Sequence, residues 1–218
     1  MTRSLDELTD LIAPHLVTDA RVRGQDERFA RDLWRRYLPA EVSARLDITA
    51  VPDHATRQDL LDQAPSVTDD TNALALYLRV AGWGANRPQP VWRCARPFND
   101  QRLGEILLAA REHLRAAGPV DAYWWMLPGG SHYVHGLGPA FFSKWLYVCG
   151  YPAKASEMTA GAVYPLILDA RVARSLQLRT ITTRDAYATY LDIAHELASR
   201  LGTTPHCIEH ALFTAGRA

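Results

Sequence analysis

The chain has 218 residues, nearly half of them apolar (48 %), enough for one large domain or two small packed ones with a substantial core. Twenty-four basic and twenty-four acidic residues cancel, which argues against a protein that coats nucleic acid indiscriminately. The three cysteines, Cys94, Cys149 and Cys207, form no CxxC pair, which argues against structural zinc or a four-cysteine iron–sulfur centre and fits a reducing cytoplasm.

The N-terminus, MTRSLDELTDLIAPHLV, is acidic and has no long apolar centre, so it does not read as a signal peptide, and no apolar run is long enough for a membrane span. Helices are expected near 4–12, 25–37, 40–47 and 55–63, and a short strand in ARLDITAV. Residues 1–70 are taken as an N-terminal helical segment and residues 71–218 as the core, the two forming one compact unit. Charge follows a similar division. Residues 1–72 carry nine Arg against fourteen acids, whereas residues 73–218 carry fifteen basic residues against ten acids. The second part could meet phosphates; ordinary surface variation explains the same numbers.

TNALALYLRVAG, from Thr71, is apolar nearly all round and predicts a central buried helix. GWGANRPQP follows as a loop, with Trp83, Asn86 and Arg87 as residues that could meet a ligand; a plain turn with a packed Trp explains it as well. NDQRLGEILLAAREHLRAAGP predicts a helix with Asn99 as N-cap and Gly118 and Pro119 as its stop. Further helices are expected near 121–127, 139–149, 169–177 and 204–214. TTRDAYATYLDIAHELASRLG adds one capped by Thr182 or Thr183 and stopped by Gly202.

DAYWWMLPGGSHYVHGLGPAFFSKWLYV reads as helix, loop, helix. Gly136-Leu137-Gly138 is a turn that lets a backbone approach closely, and Pro139 suits the first helical position. The free amides of that helix start suit a phosphate, which would reconcile DNA binding with zero net charge. His132 and His135 flank Tyr133 just before the hairpin; with no acidic or cysteine partner close in sequence, they line a groove rather than hold a metal. Lys144 is one of only two lysines and lies among aromatics. It is open to three readings: a lysine snorkelling at the core edge, a phosphate contact, or a desolvated amine that attacks carbon. In YPLILDARVARSL, Asp169 is a helix N-cap by its position, and equally a carboxylate that could stabilise a sugar cation or polarise a nucleophile.

The order GLGPAFFSKWLYV then ILDARVARSL resembles the helix-hairpin-helix DNA glycosylase superfamily, and within it the 8-oxoguanine-glycosylase-like bacterial branch. The resemblance is firmest over 121–177 and extends from about residue 70 to PHCIEHALF near the C-terminus; residues 1–65 find no counterpart. It implies an all-α fold of two packed helical subdomains. It implies an enzyme that extrudes a modified base from double-stranded DNA and cleaves its N-glycosidic bond, the base being an oxidised purine or a hypermodified phage cytosine, in repair or anti-phage defence.

By the same resemblance Gly136, Leu137, Gly138 and Ala140 grip DNA with Asn86 and Arg87, and Asp169 is catalytic. Trp83, His132, His135 and Phe142 would form the base pocket. The family's nucleophilic lysine falls on Ala140, and Lys144 lies one helical turn further on the same face, so strand cleavage after base removal stays open. No cofactor is implied beyond a structural monovalent cation at the hairpin, and a cytoplasmic monomer is expected. The competing readings are a non-catalytic helix-hairpin-helix DNA-binding module and a helical scaffold without nucleic acid.

Overall fold

Apolar residues recurring every three to four positions dominate the chain, and a computed structural model, describing residues 3–217, folds most of them as helices. In chain order these are α1 (Leu5–Ile12), α2 (Asp19–Arg23), β1 (Asp26–Arg28), α3 (Arg31–Tyr37), α4 (Ala40–Arg45), β2 (His54–Thr56), α5 (Arg57–Gln63) and α6 (Asp70–Gly84). They continue with α7 (Pro88–Ala95), α8 (Leu103–Ala117), α9 (Pro119–Trp125), α10 (Pro139–Gly150), α11 (Ala170–Leu176), α12 (Arg184–Leu201) and α13 (Pro205–Ala215). The fold is all-α, with one two-stranded antiparallel ribbon in which Asp26 lies opposite Thr56.

The central helix is α6, whose Ala73, Leu74, Leu76, Tyr77, Leu78, Val80 and Ala81 are all buried. It packs on α8 and α10, while α13 packs on α11 and α12 and also receives α1 and α2 from the other end of the chain. The ribbon is fastened to α6 at one close approach: a Cβ on Gly82 would lie 2.3 Å from the Phe29 ring. No helix among the described residues is long and apolar enough to cross a membrane.

Local chemistry sets most helix ends as expected. Thr183 caps α12 by accepting the Ala186 amide, Gly202 ends it at φ 61°, and Gly118 ends α8 at φ 85°. Four expectations change. Asn99 does not cap α8, because Asp100 Oδ1 takes the Arg102 amide at 2.9 Å and delays the helix to Leu103. ARLDITAV is not a strand: Asp47 binds the amide and hydroxyl of Thr49 and closes a turn after α4. Residues 26–28, expected in a helix, form β1 instead, and the proline-rich run after Arg87 opens α7, with Pro88 in the first turn where no amide bond is lost.

Candidate active site

Asp169 is delivered by a buried segment, residues 165–168, that has no strand beside it among the described residues. Side-chain hydroxyls take the place of a partner strand. Tyr187 Oη serves both the amide and the carbonyl of Leu166 (3.2 and 2.9 Å), and Tyr190 Oη donates to the Ile167 carbonyl (2.9 Å). Ser143 Oγ, fully buried on α10, accepts the Leu168 amide at 3.0 Å. These bonds satisfy backbone groups that burial would otherwise leave unpaired. The chain then emerges at Asp169, whose Oδ1 accepts the amides of Arg171 and Val172 (2.9 and 3.0 Å) and caps α11.

The hairpin before α10 turns at Gly136, where φ is 87° and a side chain would be strained; Leu137 is buried and anchors the bend. From α10, half-buried Lys144 sends its Nζ back along the helix to donate to the Ala140 carbonyl at 2.9 Å. The Phe141 ring lies 5.1 Å from that amine, and Gly84 of α6 leaves room for the lysine stem. Burial lowers the Lys144 pKa below the ordinary lysine range, and the charges of Asp169 and Glu209 only partly offset this.

Lys144 and Asp169 both line one open cleft of about 670 Å³. Its floor holds a buried ion pair: Arg57 of α5 grips both carboxylate oxygens of Glu209 on α13 (2.5 and 3.2 Å). Arg57 Nε also donates to Gln25 Oε1 at 2.9 Å, and its guanidinium lies over Trp83 and Tyr147 at 5.2 and 5.4 Å. Behind the floor, Tyr147 Oη meets His206 Nδ1 at 3.0 Å and His206 Nε2 meets Asp19 Oδ1 at 2.7 Å. At the mouth, Phe213 carries the guanidinium groups of Arg171 and Arg217 (4.8 and 5.4 Å).

Of the residues singled out in the sequence, the cleft collects Lys144, Asp169, Trp83, Asn86 and Arg87. One face of Trp83 is already taken by Arg57, and Asn86 Nδ2 donates to Glu27 Oε2 across the opening (3.2 Å). The expected base pocket is otherwise revised. Phe142 points into the core against Tyr123 at 4.7 Å. His132 packs in a separate cluster, edge-on to His113 and tilted against Trp125, and His135 is exposed beside Arg96. Phe213, Glu209, Arg57 and Gln25 line the cleft without having been singled out. For Glu209 a signal existed, a lone acid in the apolar run PHCIEHALF; for Arg57 and Gln25 there was none.

Outside the cleft, Asp19, His206 and Cys207 offer ligand atoms within 4.8 Å of one another, but Asp19 is already committed to His206 and Arg23.

A family model described as "Putative 8-oxoguanine DNA glycosylase OGG-like protein" matches residues 20–213. No curated protein and no solved structure matches the chain. The match begins well before residue 70, so the segment that supplies Gln25, Glu27 and Arg57 lies within the family's span.

Proposed function

The chain belongs to the OGG-like 8-oxoguanine DNA glycosylase family, and from that premise we propose that it excises a modified base from double-stranded DNA, working as a monomer in the cytoplasm. The observation that carries the reading is the shared cleft of Lys144 and Asp169, an amine of lowered pKa and a carboxylate.

The extruded nucleotide would enter between Trp83 and Phe213, its base above the Arg57–Glu209 floor and its sugar toward Lys144 and Asp169. Asp169 Oδ1 is engaged by two amides, which leaves Oδ2 to stabilise positive charge developing on the sugar. Neutral Lys144 Nζ attacks C1′ as the C1′–N bond breaks, and the departing base takes the proton the amine releases. The family's lysine position is occupied by Ala140, yet the bond from Lys144 Nζ to the Ala140 carbonyl returns the amine to that level of the helix.

The hairpin amides and Gly138 would hold a phosphate. A monovalent cation beside them would be held by backbone carbonyls, and residues 134–140 contain no acid of their own to draw a divalent ion; no step depends on it. The base proposed is an oxidised purine or a hypermodified cytosine, removed in repair or in defence, and a cleft of about 670 Å³ supports a base of either class.

Borohydride trapping on duplexes carrying each base class tests the reading. A covalent adduct lost in Lys144→Ala supports amine attack. Base release without an adduct assigns water as the nucleophile. Binding without release from any substrate returns the chain to a non-catalytic DNA-binding module.

A further inference from the structure

Helix α7 buries Val91, Cys94 and Ala95 and leaves Gln89, Trp92, Arg93 and, at its end, Arg96 in solvent, a stripe at helical spacing. Trp92 is 49 % exposed, more than any other tryptophan described. The Arg96 guanidinium lies 5.5 Å from the Trp92 ring and Nη2 meets His135 Nε2 at 3.2 Å. Among the described residues Arg87, Arg93 and Arg96 form no ion pair, and the nearby acid Asp100 is held by Arg102 at 3.3 Å.

The stripe runs between two places that one DNA strand would touch. Arg87, just before the helix, lines the cleft. At the other end the hairpin abuts Arg96, whose Cβ would lie 3.3 Å from a Cβ on Gly136. Unpaired arginines beside an exposed indole suit a polyanion with apolar sugars, and suit neither solvent alone nor an apolar protein face.

We propose that the stripe Trp92, Arg93 and Arg96 of α7 is a second nucleic-acid contact, seating the sugar–phosphate backbone of the duplex between cleft and hairpin. Arg93 and Arg96 meet phosphates, while Trp92 holds the Arg96 plane and covers a deoxyribose. The inference rests on the glycosylase reading but is separable from it.

The test is binding of the full chain to a short unmodified duplex across salt from about 0.05 to 0.2 M. Arg93→Gln/Arg96→Gln should weaken binding about tenfold or more at the upper end and lower the log–log salt slope by about two. Trp92→Ala should weaken binding and Trp92→Phe should preserve it, all with unchanged thermal unfolding. The control Arg115→Gln/Arg200→Gln, on α8 and α12, should leave the slope as it is. Wild-type affinity and slope in the double variant would sink the stripe and leave the glycosylase reading standing. An equal loss in the control pair would overturn the stripe too, and a wild-type chain that binds no duplex would overturn both.

Discussion

Ser143 Oγ accepts the Leu168 amide at 3.0 Å, and this one bond ties the residue before Lys144 to the residue before Asp169. The two cleft side chains come from elements 25 positions apart, yet their spacing is held at adjacent backbone positions in a fully buried place. Ser143→Ala would leave the Leu168 amide unpaired. A stability loss of about 1–3 kcal/mol is expected in denaturant unfolding. On the proposed mechanism single-turnover base release should fall more than duplex affinity, because the bond would position the reacting groups without touching DNA.

Asp169→Asn separates the cap from the charge. Asparagine caps as well as aspartate, so unfolding should shift by only a few tenths of a kcal/mol. Base release should fall at least about a hundredfold. The carboxylate also raises the Lys144 pKa, against the larger downward push of burial. Adduct formation should therefore rise with pH along a limb lying below the ordinary lysine value of 10.5, and that limb should move lower still in any Asp169→Asn adduct that can be trapped.

Glycines 136 and 138 should part company. Gly136 has φ 87° and backs onto Arg96, so Gly136→Ala should cost about 1–2 kcal/mol in thermal or denaturant melts. Gly138 has φ −85° and open space where a Cβ would stand. Gly138→Ala should melt like wild type while binding duplex more weakly, since the added methyl stands where a phosphate would approach. Equal affinity for duplex would remove Gly138 from the grip.

Arg57→Met leaves the Glu209 carboxylate buried without its partner and should cost about 3–5 kcal/mol in urea unfolding. Arg57→Met/Glu209→Leu, which removes both charges, should recover much of that loss. Failure of the double variant to recover would show that Gln25, Trp83 and Tyr147 need the guanidinium for themselves.

Burial, with Arg57 next in order, pushes the His206 pKa from 6.5 down to about 3, so the folded chain keeps this imidazole neutral while the unfolded chain protonates it. Its contribution is fully present above pH 6.5 and drains away as pH falls toward 3. His210, lowered to about 4 mainly by burial, acts in the same direction. A His206→Gln variant should show a flatter fall of unfolding free energy between pH 6.5 and 4.

Caps, stops and the hairpin were legible because their causes lie within four residues. Thr183 finds the Ala186 amide, Gly118 and Gly202 take positive φ, and Asp169 finds Arg171 and Val172. The cleft floor was not legible. Arg57 and Glu209 lie 152 positions apart, and although the apolar run around Glu209 hints at its burial, nothing local to either residue names the other as its partner. Phe142 and Phe213 look alike in sequence, but packing sends the first to Tyr123 and the second to the cleft mouth. Helix α7 was hidden by prolines that break a helix anywhere but at its start, which is where Pro88 stands.

The Arg57–Glu209 pair joins a residue in the first third of the chain to one in its last helix. A polypeptide still being synthesised acquires its hairpin, Lys144 and Asp169 before Glu209 exists. The floor of the cleft therefore cannot close until both ends of the chain have been made and folded against each other.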